Sequence, residues 1–309
     1  MKSSILIRLF AIITVTASTF ASPLANLKKH NVTLAKDGNV NYYKDLPLDV
    51  YYQDSKFKKF EKRPVVVYIY GGGWCSGNKE KNSKIGEYLR EQGYIAVLPN
   101  YHVYPNATSV ETMVDEIHHA IEWTYKNIHK YGGDKHKMSI SGQSAGAHLI
   151  SLTLTKAALG MKNLGKPLRK LPTFKHALLL NGPYTIQVEE SIKNYYEYGM
   201  DLYADGFTAL FLNKTNYSPQ EILTTKKSKS IKYLSAKHIT FLECTNDEVV
   251  AYGTAAPMIE QVKRTVRKTT TDHVVVEGAD HNKINHGIRD GDEEAKKIFI
   301  DLIRKYNKN

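Results

Sequence analysis

Apolar runs and amphipathic stretches alternate along most of this chain. Pro64 to Tyr70 is a continuous apolar run, as expected of a strand buried on both faces of a sheet, and Tyr94 to Leu98 is another. Between them Lys79 to Gln92 has the spacing of a crossover helix that stops at Gly93. Val110 to Lys130 carries Met113, Ile117, Ala120, Ile121, Tyr125 and Ile128 on one helical face. A short strand at Lys137 to Ser141 and a helix from Ala145 to Ala158 follow, then strands at His176 to Leu180, Ile239 to Leu242 and His273 to Val276. Val249 to Arg267 and Glu293 to Lys305 read as the last two helices, and the alternating segment Leu46 to Tyr52 as an early strand of antiparallel type. This rhythm predicts an α/β fold: one domain over residues 22–309, with a mainly parallel central sheet flanked by helices. Residues 183–236 break it and are expected to form a small cap. The cap holds Tyr195, Tyr196, Tyr198, Tyr203, Phe207 and Phe211, which either pack it onto the sheet or cover a site.

Candidate chemistry falls on the loops after the strands. Gly142-Gln143-Ser144-Ala145-Gly146 stands between a strand and a helix, the setting in which a sharp turn presents a serine above a sheet. Serine is a poor nucleophile at neutral pH and needs a base, itself oriented by an acid. In this setting the acid and the histidine should follow in that order, each after a strand. Asp247 follows the Ile239 strand and leads a Val-Val pair expected to begin a helix; His281 follows the His273 strand. Glu243, Glu248 and Asp280 are rival acids and His286 a rival base. Tyr70-Gly71-Gly72-Gly73-Trp74 lies where donors for a carbonyl-derived anion belong, so Gly72 and Gly73, with Ala145, are the candidate oxyanion hole. That glycine run lacks the spacing of a dinucleotide fingerprint and the Lys-Ser/Thr of a phosphate loop. His118 and His119 fall within an amphipathic helix without a ligand set at metal spacing, so no metal is expected.

Taken together these segments resemble the α/β-hydrolases of the hormone-sensitive-lipase and carboxylesterase kind. Tyr70-Gly71-Gly72-Gly73-Trp74 is similar to their His-Gly-Gly-Gly-Trp loop, and Asn100-Tyr101-His102-Val103-Tyr104-Pro105 to their Asp-Tyr-Arg-x-x-Pro segment. Within that superfamily the chain most resembles the prenylcysteine (isoprenylcysteine) methylesterases. The likeness runs through Tyr131-Gly132-Gly133-Asp134, the Ser144 turn on to Ala147-His148, Tyr196 to Met200, Tyr217-Ser218-Pro219 and Arg289 to Glu293. It implies the α/β-hydrolase fold, a Ser144, Asp247 and His281 triad, no cofactor, and hydrolysis of a carboxylic ester such as the methyl ester of a prenylated cysteine. Two departures stand out: Tyr70 replaces the loop's histidine, and Glu243-Cys244 replaces the His-Gly that commonly precedes the acid. An arylformamidase-type amide hydrolase and a non-catalytic binding relative are the alternatives.

Composition adds the setting. The 309 residues carry a formal charge of +12, yet no lysine run is longer than Lys226-Lys227-Ser228-Lys229 and no base-reading motif accompanies them. The charge reads as a basic solvated surface with some attraction to anionic membranes, not as a nucleic-acid site. Lys2 and Arg8 precede an apolar run from Leu9 to Ala17, and Thr19-Phe20-Ala21 offers a cleavage position, so residues 1–21 are expected to be a signal peptide. Glycosylation triplets begin at Asn31, Asn106, Asn213 and Asn216, in keeping with a secreted, endoplasmic-reticulum or Golgi-lumen protein. Cys75 and Cys244 form either one bridge or two buried thiols.

Overall fold

The computed structural model describes residues 32–55 and 62–307. The expected signal peptide and the Asn31 triplet's acceptor lie outside them. An antiparallel hairpin opens the described chain, Val32–Tyr43 (β1) against Leu46–Ser55 (β2). Arg63–Ile69 (β3) and Ile95–Pro99 (β4) are the two apolar runs, and Val65, Val66, Val67, Ile95, Ala96 and Val97 have no solvent exposure. Ser83–Glu91 (α1) crosses over between them, preceded by a 3-10 turn, and Val110–Asn127 (α2) leads to Gly133–Gln143 (β5). Ala145–Leu159 (α3) is buried on almost every face, and a two-residue ladder, Lys162–Asn163 (β6) with Lys166–Pro167 (β7), precedes Phe174–Leu180 (β8).

Three helices interrupt the alternation after β8: Val188–Glu197 (α4), Asp201–Phe211 (α5) and Pro219–Thr224 (α6). Ala236–Cys244 (β9), Ala255–Thr265 (α7), Thr270–Val276 (β10), Lys283–Asp290 (α8) and Glu293–Asn307 (α9) complete the chain. The main sheet has the order β1-β2-β4-β3-β5-β8-β9-β10; β1, β2 and β4 pair antiparallel and every other neighbour is parallel. From β3 the chain winds outward to β4, then returns to place β5 on the other side of β3. The carboxyl ends of β3 and β5 thus flank the point where the winding reverses, the place where α/β sheets leave a crevice.

The sheet strands and crossover helices follow the hydrophobic pattern, with three differences. The helix expected from Val249 begins instead at Ala255. Asp247 Oδ1 accepts the N–H groups of Val249 at 2.9 Å and Val250 at 2.7 Å, closing a side-chain turn, and Val249 is 59% exposed and so offers no buried face. β1 is a largely exposed edge strand without apolar alternation, so the pattern gives no sign of it. α8 is eight residues long and buries only Ile284, Asn285 and Ile288, too few to mark a helical period.

The segment following β3 is anchored by a buried ion pair. Lys79 Nζ lies 2.9 Å from Asp49 Oδ1 on β2, with side chains only 2% and 1% exposed, and also donates to Asn39 Oδ1 at 2.8 Å. Lys36 stands 2.7 Å from the other Asp49 oxygen. Burial alone would raise the Asp49 pKa, but the hydrogen bonds from Lys36, the Asn39 N–H and Lys79 outweigh it and hold the carboxyl below its usual range. Lys79→Met should destabilise the protein by about 3 kcal/mol in urea titration, because it removes one partner and leaves a buried carboxylate short of a counter-charge.

Candidate active site

β5 enters α3 through Ser144, whose φ of 55° and ψ of −125° are strained for an L-residue. Its N–H donates to the Leu180 carbonyl at the end of β8 at 2.8 Å, which holds the turn to the neighbouring strand. The flanking glycines are steric requirements. A Cβ at Gly146 would stand 2.3 Å from the Ile69 carbonyl oxygen, and one at Gly142 2.7 Å from the same atom. The serine is 8% exposed at the top of the sheet.

The loops after β9 and β10 are joined side by side. Asn246 N–H donates to Ala279 O at 2.9 Å, and Gly278 N–H to Thr245 Oγ1 at 2.8 Å. They bring Asp247 and His281 together: His281 Nδ1 lies 2.6 Å from Asp247 Oδ2, with side chains 5% and 2% exposed. Because Nδ1–H donates to the carboxylate, Nε2 is left as the imidazole's acceptor. The His281 backbone carbonyl accepts from Asn181 Nδ2 at 2.9 Å and from Gln143 Nε2, the residue before Ser144, at 3.3 Å. No hydrogen bond joins the Ser144 hydroxyl to the His281 ring in this structure. The rivals are occupied elsewhere or turned outward. Glu243 Oε1 accepts the N–H groups of Gly253 and Ala255 at the start of α7, and its Oε2 meets His273 Nε2 at 2.7 Å. Burial would raise the Glu243 pKa, but these bonds overcome it and keep the group below its usual range. Glu248, Asp280 and His286 are exposed.

Gly72 and Gly73 have φ of 124° and 58°, open to glycine and costly for other residues. The Gly72 carbonyl turns away to accept from Cys75 N at 3.1 Å and Ser76 N at 2.9 Å. Ala145 is the first residue of α3, where helical N–H groups have no partner within the helix. Tyr70 forms a reciprocal lock. Its OH donates to Tyr101 O at 3.0 Å and accepts from Tyr101 N at 3.1 Å, while Tyr101 OH donates back to Tyr70 O at 2.9 Å. The two buried rings stack at 4.5 Å, so the residue that departs from the resemblance fixes the base of the glycine loop. From the cap, the Tyr203 ring lies so close to Gly73 that a Cβ there would come within 2.7 Å of it.

Sequence reasoning missed one organising residue. His148, quoted in the serine motif without a role, is fully buried one turn into α3. Its Nδ1 accepts from Trp74 Nε1 of the glycine loop at 3.2 Å, and its Nε2–H donates to the Tyr217 carbonyl before α6 at 2.7 Å. One imidazole thus ties together the helix of Ser144, the glycine loop and the cap insertion. Burial pushes its pKa down to about 4. Trp74 packs edge-on against Phe207 and Phe211 of α5, which places those two cap aromatics in packing. A tryptophan in the glycine loop and a histidine one turn beyond the serine were the available signals. Cys75 and Cys244 are separate buried thiols, with burial raising Cys75 to about 11. His118 bonds the Arg169 carbonyl and His119 stacks on Tyr43.

A family model described as BD-FAE matches residues 48–261. A protein of Oryza sativa subsp. japonica named as a probable isoprenylcysteine alpha-carbonyl methylesterase is 26% identical over 246 residues, covering 78% of this chain. This chain spans only 57% of that relative's length. A Mycobacterium tuberculosis protein named as the probable carboxylic ester hydrolase LipM is 39% identical over 90 residues, 29% of this chain and 21% of its own. Among solved structures, Esterase B from Lactobacillus rhamnosis matches 89% of this chain and 86% of its own with a TM-score of 0.65 at 17% identity, a likeness of α/β-hydrolase fold.

The buried His148 gives stability a defined pH dependence. Between an unfolded value near 6.5 and the folded value of about 4, the unfolded chain binds the proton and the folded one does not, so stability is lost as the pH is lowered through that window. The expected loss at this site is about 3 kcal/mol. In urea titrations at pH 7 and pH 4, His148→Gln should show a smaller drop than the parent by about that amount.

Proposed function

The chain belongs to the BD-FAE family, and from that membership we propose that it is a serine carboxylic-ester hydrolase acting through Ser144, His281 and Asp247. The observation that carries this reading is the 2.6 Å bond between Asp247 and His281, which fixes the imidazole with Nε2 as acceptor beside the strained Ser144 turn. In the proposed reaction His281 Nε2 takes the Ser144 proton as Oγ bonds to the ester carbonyl carbon. The N–H groups of Gly72, Gly73 and Ala145 receive the resulting oxyanion. The imidazolium, steadied by Asp247, returns the proton to the departing alcohol, leaving an acyl-enzyme. Water then attacks the acyl carbon with His281 again as base, and Ser144 leaves with its proton. The Ser144 to His281 bond is expected to form as substrate enters, as hydrogen bonds of this kind often do.

The substrate proposed is a small apolar ester, the methyl ester of a prenylated cysteine being the candidate suggested by the rice relative's name. Apolar contact is favoured by Tyr203 against Gly73 and by the exposed Tyr196, Tyr198, Met200 and Leu202 of the cap. Passage through the secretory pathway belongs to the same proposal: Asn106, Asn213 and Asn216 are exposed, as acceptors must be.

Ser144→Ala should lower turnover of p-nitrophenyl acetate by at least about ten-thousandfold with an unchanged circular dichroism spectrum, and Asp247→Asn by about the same factor. Comparable turnover by the Ser144→Ala protein would refute the reading. A panel of methyl prenylcysteines, short and long acyl esters and an N-formyl arylamine separates ester from amide hydrolysis and orders the esters.

A further inference from the structure

The lysine run at residues 226–229 does not stand alone once folded. Lys229 N–H donates to Arg264 O at 2.9 Å, Ile231 N–H to Thr265 O at 3.0 Å, Arg267 N–H to Ile231 O at 2.9 Å and Lys268 N–H to Lys232 O at 3.1 Å. These bonds lay residues 226–232 alongside residues 263–268. The four lysines of the first segment and Lys263, Arg264, Arg267 and Lys268 of the second thereby form one strip, with no carboxylate in either segment. Two of these cations serve the fold: Lys229 Nζ donates to Lys263 O at the end of α7, and Arg264 to the Leu223 and Thr224 carbonyls at the end of α6. None of the eight makes an ion pair among the described residues, whereas Lys79, Lys84, Lys283, Lys296 and Lys305 all do. Lys227, Lys232, Lys263, Arg267 and Lys268 are exposed.

From this strip we infer a docking surface for an anionic polysaccharide. Its shape is linear, set by two paired backbone segments, and its charge is uncompensated. No exposed large apolar side chain lies in either segment, so the strip offers nothing to insert into a bilayer. The aromatic residue next to it, Tyr233, is half-buried with the ammonium groups of Lys232 and Lys268 at 6.0 and 5.9 Å from the ring, so the strip carries no exposed aromatic platform for stacking successive bases. The location fits a tether. Lys268 lies just before the amino end of β10, whereas the His281 loop follows its carboxyl end, about 20 Å away along the strand. A polymer held on the strip would leave the Ser144 crevice facing away from it.

The test compares two variants that each lose four charges. Lys227→Gln, Lys232→Gln, Arg267→Gln and Lys268→Gln together remove four of the strip's eight charges; Lys126→Gln, Lys130→Gln, Lys162→Gln and Lys166→Gln together remove four exposed charges elsewhere. Thermal unfolding by circular dichroism checks that both remain folded. Binding to heparin and to polygalacturonate at 150 mM salt should weaken on the order of a hundredfold in the first variant and less than about threefold in the second. Equal losses in the two variants would overturn the inference, because net charge alone would then account for binding. Tighter binding of the parent to phosphatidylserine vesicles or to duplex DNA than to either polysaccharide would overturn it as well.

Discussion

The backbone strain at Ser144 is the constraint on which the rest of the site depends. A residue at φ 55° and ψ −125° persists only where its surroundings over-determine it. Here the surroundings are the Leu180 carbonyl that takes the Ser144 N–H, and the close approach of β3 that leaves no room for a side chain at Gly142 or Gly146. The strain of about 1–3 kcal/mol is offset by the packing of β3, β5 and β8, whose central residues are fully buried. The same geometry fixes the start of α3, and with it the Ala145 N–H and the position of His148.

Around that turn several polar groups are paired with one another. Tyr70 and Tyr101 satisfy one another, Glu243 is absorbed by the start of α7, and the carbonyl of His281 is held by two amide side chains. His148 is the most consequential of these, because a single neutral ring joins helix, glycine loop and cap. A buried group that must stay neutral makes this junction sensitive to acid, while in the strip at the other end of the sheet only Lys229 and Arg264 are tied into the fold.

The parallel sheet was legible because β3 and β4 are continuous apolar runs and its crossover helices keep a helical period. The serine turn, the glycine loop and the loops of Asp247 and His281 were legible because turn chemistry needs glycine and because strand ends fix where such loops fall. What escaped sequence reading depends on contacts between distant segments. The Asp247 side chain spends one oxygen on Val249 and Val250 and so delays α7, which no local propensity announces. His148 looks like any residue of a buried helix until Trp74 and Tyr217 are placed around it. The basic strip was invisible for the same reason, since its two halves are separated by 30 residues and meet only in the fold, through backbone pairing and side-chain bonds to carbonyls.

The central claim is that strain at Ser144 presents that one hydroxyl as a nucleophile served by His281. Covalent labelling with a fluorophosphonate followed by peptide mass mapping tests it most directly. The account predicts a single adduct on the peptide containing Ser144, lost in a His281→Ala protein that remains folded. An adduct on another serine, or no adduct on the folded parent chain, would contradict it.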